Sequence, residues 1–321
     1  MNLKNVKYCL GLICSMTKIT RKSYKSVERD SKLLELIHSD ICEFEGILTR
    51  EGNRYFITFI DDFSKYSYVY LMKNKSDTFE KLSIFIKEVE NNFGKNIKRF
   101  MTDREKEYDT LVLNNYIQSL GIVHEITPPY SPSSNEVAER KNRTFINLTN
   151  AMLVSCGVPK NLWGETVLTA NYVLNRIPHK KTLLTPFELW KKYKTNLDYF
   201  KVWGCLAYVR LPDPKRPKLG KRASTCVFLG YTLNSPTYRF FDIDNNTLIE
   251  SKEAIFHENK FPFKSKISGG LEQQSRDESS MSMSKEADKI EIEPRKSKRL
   301  ELKKILVLTI MCIVYKVILL L

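Results

Sequence analysis

Paired cysteines are missing from this sequence of 321 residues. Its seven cysteines are scattered and none belongs to a C-x-x-C pair, so neither a disulfide framework nor an intact zinc site is visible. A reduced compartment, the nucleus or the cytoplasm, is therefore expected. Internal repeats and the Asp-Thr/Ser-Gly motif of aspartic proteases are also absent, which argues against a repeat protein and against a protease of that class.

Long apolar segments are scarce. The exception is 305–321, whose 17 residues are apolar apart from Thr309, Tyr315 and Lys316. A membrane-spanning helix needs about 20 residues, so this tail is short for an anchor, although Lys316 lies near enough to the end to reach a membrane surface. We interpret the tail as sequence that follows a truncated reading frame, with a membrane anchor as the alternative.

Acidic residues are outnumbered by basic ones. Lys and Arg total 52 against 37 Asp and Glu, which gives a formal net charge of +15. Such an excess favours a polyanionic partner, with nucleic acid ahead of an anionic membrane surface. A basic protein without such a partner is the alternative that charge alone leaves open.

Strand and helix signals alternate over the first two-thirds of the chain. Three strands are followed by a helix, a strand, a helix, a fifth strand and two more helices. Their predicted bounds are 33–41, 55–60, 68–72, 79–93, 97–102, 111–120, 122–126, 136–156 and 162–176. This order predicts an α/β fold with a mixed five-stranded sheet and flanking helices.

A second, smaller module follows the predicted α/β core. Short β runs at 205–211, 225–231, 238–242 and 247–251 are separated by turn residues within the stretch 200–257 and predict a small β-barrel. Residues 264–304 are rich in Ser, Lys and Glu with little apolar content, as is typical of a disordered linker.

Three acidic residues lie within or at the ends of elements of the predicted core. Asp40 is in the first strand, Asp103 ends the fourth strand, and Glu139 opens the long helix, with 35 residues between the last two. Two metal ions about 3.5–4 Å apart can activate the attacking oxygen and neutralise the leaving one in phosphodiester displacement. Mg²⁺ prefers carboxylate oxygens, so the pattern points to two Mg²⁺ (or Mn²⁺) ions. Spacing alone also arises by chance among 37 acids.

Basic residues follow Glu139 on the same predicted helix, namely Arg140, Lys141 and Arg143. The apolar period predicts that the inner face of this helix consists of Val137, Phe145, Leu148, Met152 and Leu153. Arg143 lies one turn after Glu139 and on the same face. A basic helix face beside a metal site suits a DNA backbone. The alternative is a solvated charged helix face.

The stretch from about 33 to 258 resembles the integrase of copia-type long-terminal-repeat retrotransposons. The matching motifs are LIHSDIC (36–42), YFITFIDDFS (55–64), TPPYSP (127–132), VAERKNRT (137–144), YVLNRIP (172–178) and FKVWGC (200–205).

This resemblance implies a ribonuclease-H-like integrase core over 33–195 and an SH3-like retroviral module over 200–263. It implies Asp40, Asp103 and Glu139 as catalytic residues and metal ligands. The implied activity is that of a polynucleotidyl transferase, which processes donor DNA ends and joins them to target DNA. The implied partners are donor and target DNA and further copies of the same chain in a homo-oligomer.

Several positions depart from the family's pattern. Glu105, Lys106 and Glu136 stand where the family usually has glycine, and a side chain is costly where the backbone needs a positive φ. Residues 1–32 resemble a degenerate remnant of the family's zinc module, in which Gly11 occupies a cysteine position, so four zinc ligands cannot be assembled. We expect a chain that is truncated at both ends and has little strand-transfer activity. The alternatives are a non-enzymatic nucleic-acid-binding remnant and a tail-anchored membrane protein.

Overall fold

The computed structural model describes residues 32–44, 46–127, 135–178, 183–212, 218–232 and 235–264. Residues 1–31 of the predicted zinc-module remnant lie outside the described residues, as do residues 265–304 of the predicted linker and the whole apolar tail. Within the described ranges, no helix combines the length and the apolar character that a membrane crossing requires.

The first sheet has five strands, which are β1 (Leu36–Glu43), β2 (Tyr55–Asp61), β3 (Ser67–Met72), β4 (Arg99–Thr102) and β5 (Val123–Ile126). Their order is β3-β2-β1-β4-β5, so β1 lies at the centre. It runs antiparallel to β2 and parallel to β4, while β5 is parallel to β4. The predicted mixed five-stranded sheet is confirmed.

The described residues include five α-helices, which are α1 (Thr78–Phe93), α2 (Leu111–Ser119), α3 (Glu136–Cys156), α4 (Trp163–Leu174) and α5 (Pro186–Lys191). Helices α1 and α3 end at Gly94 and Gly157, which have left-handed φ angles of 59° and 67°. Glycine adopts this conformation without a Cβ penalty, so both helices stop where the sequence predicts.

Helices cover both faces of the first sheet because successive strand residues point to opposite sides. Phe59 of β2 packs with α1 and α2, and its ring stacks 4.4 Å from that of Phe85. Phe56 of the same strand lies in a second core, where it meets Phe145 of α3 and Trp163 of α4. The sheet is therefore sandwiched between two helical layers.

The second sheet is antiparallel and consists of β6 (Leu206–Arg210), β7 (Ala223–Tyr231), β8 (Tyr238–Asp242), β9 (Thr247–Ser251) and β10 (Ala254–His257). Its strand order is β10-β6-β7-β8-β9. Phe228 and Phe240 are fully buried within it. This sheet is the small β module that the sequence predicts after residue 200.

The β module packs directly against α4. Thr169 Oγ1 and Trp203 Nε1 both donate to the carbonyl oxygen of Leu229 in β7, at 2.6 and 2.8 Å. Arg239 of β8 forms an ion pair with the buried Glu165 of α4 at 3.0 Å. A single apolar cluster contains residues of both modules, so α4 is their common wall.

Gly230→Ala should destabilise this junction by about 1–3 kcal/mol, the usual cost of overpacking. A Cβ at Gly230 would lie 2.1 Å from Thr169 Oγ1, which is held by its hydrogen bond to Leu229. Urea unfolding followed by tryptophan fluorescence measures the loss. Thr169→Ala is the matched second site, and the double variant should lose less than the sum of the two single variants. Strictly additive losses would contradict the contact.

Candidate active site

Asp40 lies in the middle of β1 and is 9% exposed. Its Oδ1 accepts a hydrogen bond from Ile41 N at 3.0 Å, and its Oδ2 accepts one from Asn142 Nδ2 of α3 at 2.9 Å. The carboxyl group is therefore fixed between the central strand and α3.

Asp103 directly follows β4, the parallel neighbour of β1. The register of the two strands pairs His38 with Met101, and the same offset continued for two residues places Asp103 beside Asp40. Burial, reinforced by the negative charge of Asp103, raises the pKa of Asp40 to about 7. Burial also raises the pKa of Asp103. The structure thus brings two of the three predicted acids together.

The loop after β4 is held against β1. Asp103 Oδ1 accepts a hydrogen bond from Glu105 N at 3.1 Å. Tyr108 is completely buried, and its hydroxyl lies 2.7 Å from Ser39 Oγ in β1. These contacts hold the loop that follows Asp103 against β1.

Glu139 lies in the first turn of α3 and is exposed. The α3 residue that contacts Asp40 is Asn142, one turn further along the helix. Among the described residues, no group of three or more His, Cys, Asp or Glu side chains is arranged to hold a metal ion. The convergence of Glu139 with Asp40 and Asp103 on shared metal ions therefore stays a prediction.

A charged cluster borders the acid pair. Lys75 Nζ lies 3.2 Å from each carboxylate oxygen of Glu105 and 4.0 Å from the nearer carboxylate oxygen of Glu107. Burial raises the pKa of Glu105, and the negative charge of Asp103 adds to this. The ammonium group of Lys75 acts in the opposite direction on Asp103, whose ionised form it favours.

The side chains at the family's glycine positions do not strain the backbone. None of Glu105, Lys106 and Glu136 has a positive φ. The prediction that a side chain strains the backbone at these positions is therefore wrong. Glu136 is exposed and forms an ion pair with Arg140 on the next turn of α3. Glu105 differs, because it adds negative charge beside Asp40 and Asp103.

The predicted DNA-binding residues divide between two sides of α3. Arg140 and Arg143 are exposed, whereas Lys141 is half-buried with Nζ 5.4 Å from the centre of the Phe145 ring. Burial lowers the pKa of Lys141 to about 8. The exposed basic face therefore contains two of the three predicted residues.

Oxygen ligands for a divalent cation are available at the acid pair. Asp40 and Asp103 supply carboxylates, and Asn142 Oδ1 is buried without a hydrogen-bond donor in the described part of the chain. Mg²⁺ and Mn²⁺ favour such oxygen ligands. The chemistry of these oxygen atoms therefore suits a divalent ion.

Asn142 and Lys75 were not among the residues predicted from the sequence. Asn142 stands in the VAERKNRT motif one helical turn after Glu139, and that spacing was the available signal. Lys75 belongs to the short 3-10 turn Lys75–Asp77 before α1. Nothing in the spacing of the sequence links this turn to the acids.

Two family models match the chain. The integrase core domain matches residues 30–132, and the retroviral polymerase SH3-like domain matches residues 205–269. These matches coincide with the first sheet and the antiparallel β module described above.

The relatives are much longer proteins. The retrovirus-related Pol polyprotein from transposon TNT 1-94 of Nicotiana tabacum is 36% identical over 249 residues, which are 77% of this chain and 19% of the relative. The corresponding polyprotein from transposon RE2 of Arabidopsis thaliana is 34% identical over 234 residues, which are 73% of this chain and 16% of the relative. The chain thus spans less than a fifth of the length of either relative.

Among solved structures, a chain of the simian T-cell lymphotropic virus intasome is similar, with a TM-score of 0.45 and 15% identity, covering 73% of this chain and 81% of that one. The family models and the relatives agree with the motifs that resemble copia-type integrases. The chain therefore carries an integrase core domain followed by a retroviral polymerase SH3-like domain, and its relatives are Pol polyproteins of copia-type plant retrotransposons.

Proposed function

We propose that this chain is an integrase-type polynucleotidyl transferase acting on DNA, in which Asp40 and Asp103 hold divalent metal and Glu139 joins them when DNA binds. The observation that carries the proposal is the placement of the buried Asp40 carboxyl group beside that of Asp103, which is half-buried and directly follows the neighbouring parallel strand. Keeping two such acids together costs stability. A bound cation offsets that cost, and perturbed acids of this kind are typical of functional sites.

Divalent metal, when bound, activates the attacking oxygen and neutralises charge at the phosphodiester. The chain's own residues orient the ligands. Asn142 holds Oδ2 of Asp40, and the contact between Tyr108 and Ser39 holds the loop of Asp103. Glu139 is about 60° round the helix axis from Asn142, so rotation of its side chain with a small shift of α3 would bring its carboxylate toward the pair.

Metal binding and DNA joining test this proposal separately. Mg²⁺ or Mn²⁺ should raise the Tm of the unaltered chain in a thermal-shift measurement, and Asp103→Asn should reduce that rise. Asp109→Asn is the matched control, because Asp109 is an exposed aspartate in the same loop. Equal metal responses in the Asp103 and Asp109 variants would contradict the assignment of the metal ligands.

A second candidate function is DNA binding without turnover. It is favoured by the exposed position of Glu139 and by the absence of a three-ligand metal group among the described residues. The two functions differ in one respect: the enzyme yields metal-dependent joined products, whereas the binding protein retains DNA affinity and yields none.

DNA affinity should fall steeply with salt, and Arg143→Glu should weaken binding about 3–10-fold at 50 mM salt for all DNA sequences alike. Phosphate contacts release counterions and carry no sequence information. Fluorescence anisotropy over 50–200 mM salt measures both effects. Lys141→Gln is the control, because Lys141 is half-buried over Phe145. Its loss should change the DNA affinity less than Arg143→Glu does. A salt-independent affinity would contradict both DNA functions.

A further inference from the structure

Lys75 is a cation beside the acid pair that the function above leaves without a role, and its charge acts on Asp103. Its Nζ lies 3.2 Å from both Oε1 and Oε2 of Glu105 and 4.0 Å from Glu107 Oε1. The side chain of Lys75 is 34% exposed and that of Glu105 is 29% exposed. Both groups are therefore reachable from solvent, although part of each is covered.

This ion pair adjoins the metal-binding acids through Glu105. The backbone N–H of Glu105 donates to Asp103 Oδ1 at 3.1 Å, so the carboxylate that holds Lys75 is carried by the residue that also holds Asp103. The charge of Lys75 acts on Asp103, and the charge of Glu105 acts on Asp40. The charge of Lys75 would therefore act on a phosphate bound at the acid pair as it acts on Asp103.

Negative charge predominates around Lys75. Its ammonium group pairs with the carboxylates of Glu105 and Glu107 and also acts on the carboxyl group of Asp103. A lysine ammonium is a compact charge on a flexible stem and a common phosphate contact. Its contacts to the two carboxylate oxygens of Glu105 engage two of its three N–H donors, so a DNA phosphate gains the full charge of this lysine when it replaces Glu105 as its partner.

We propose that Glu105 masks Lys75, so that DNA entering the acid site competes with this carboxylate for the lysine ammonium group. The proposal rests on the DNA-binding function above. A partly exposed ion pair is weak and screened by salt, and hence a phosphate can displace it. Because Glu105 must be displaced first, the lysine contributes less to DNA affinity than a free lysine would.

The test is a double-variant cycle on the full chain, with a fluorescein-labelled duplex as the probe and EDTA present to exclude metal. Glu105→Gln should tighten binding about 3–10-fold at 50 mM salt. It should also steepen the dependence of log affinity on log salt by about 0.9, the value for one added phosphate contact. In a Lys75→Met background the same change should tighten binding less than about twofold and leave the slope unaltered.

Glu107→Gln is the matched control, since it removes the same charge from the same loop but from a carboxylate 4.0 Å from Lys75 Nζ. Its effect should be smaller than that of Glu105→Gln. If Glu107→Gln gives the same gain, or if Glu105→Gln tightens binding equally with and without Lys75, the effect is general charge repulsion and the masking proposal is overturned.

A folding measurement and the DNA binding of the unaltered chain distinguish the possible outcomes. Circular dichroism and thermal melting show whether Lys75→Met is folded, and Lys75→Gln replaces it in the cycle if it is not. If the unaltered chain fails to bind DNA even at low salt, the proposed DNA function itself is contradicted. If it binds but the cycle shows no coupling between Lys75 and Glu105, the masking proposal alone fails.

Discussion

Joining of donor-end DNA by the unaltered chain should be weak, and Glu105→Gly should raise it at least about tenfold. Two features of the site lead to this expectation. Glu139 is exposed, and the α3 residue that contacts Asp40 is Asn142; in addition, Glu105 adds a carboxylate beside Asp40 and Asp103. An extra acid can hold metal in an unproductive arrangement, and displacements of about 1 Å cost catalysis about 100-fold.

The measurement is an incubation of the full chain with labelled donor-end and target DNA in Mg²⁺ or Mn²⁺, with joined products counted on a gel. Lys106→Gly and Glu136→Gly are the matched controls, since both introduce the family's glycine. Neither should raise activity as Glu105→Gly does, because Lys106 carries no carboxylate and Glu136 pairs with Arg140 on the exposed side of α3.

The activity gained in the Glu105→Gly chain should depend on the proposed ligands. Asp103→Asn or Glu139→Gln in that background should reduce joining by at least about 100-fold, since metal stabilises the transition state by several kcal/mol and each 1.4 kcal/mol is tenfold in rate. Efficient joining by the unaltered chain would show that the site is intact despite Glu105. In that case, loss of joining in Glu139→Gln would still support the three-acid assignment.

The ends of the core helices were predictable from the sequence where a glycine terminates them. Gly94 and Gly157 stop α1 and α3 at the predicted residues because both adopt left-handed φ angles. The start of β1 was predicted too early, since Leu34 has a φ of 66°, which an apolar run does not reveal. Strand β10 was missed because it is four residues long and is defined by its pairing with the distant β6.

Helix α5 was also missed, although its start is visible in the sequence. Thr185 and Glu188 form a capping box around Pro186 at the first turn, a pattern typical of a helix N-terminus. The helix is six residues long, too short for an apolar period to emerge. Tertiary packing stabilises it, since Trp190 is almost completely buried.

The candidate site was predictable at the strands and less so at the helix. Asp40 and Asp103 are fixed by their strands, because the register of two parallel neighbours determines which residues adjoin. The rotation of α3 depends on which residues face the core. The apolar pattern predicts Val137 inside, whereas the structure buries Ala138 and Asn142. The apolar period does not predict a polar residue at a buried position. Here that residue is Asn142, which lies beside Asp40.

Asp40→Asn should stabilise the metal-free chain at pH 8 by about 2–4 kcal/mol, given roughly 1.4 kcal/mol for each pKa unit. The pKa of Asp40 is raised by burial and by Asp103 from 3.8 to about 7, so the folded state binds a proton that the unfolded state has released between these pH values. The destabilisation is absent below about pH 4, grows as the pH rises toward 7, and is complete above 7.

Asparagine removes this charge and keeps the local hydrogen bonds. Its Oδ1 can accept from Ile41 N, and if the Asn142 amide turns over, the buried Asn142 Oδ1, which lacks a donor among the described residues, can accept from the new amide. The Tm of Asp40→Asn should therefore exceed that of the unaltered chain by roughly 5–10 °C at pH 8 and by much less at pH 5. Mg²⁺ should reduce this Tm difference at pH 8, because the ion stabilises the unaltered chain with its Asp40 carboxylate and not the Asp40→Asn variant. A Tm difference that does not change between pH 5 and pH 8 would mean that the Asp40 carboxyl group is ionised without cost, and the electrostatic basis of the proposed metal site would be lost.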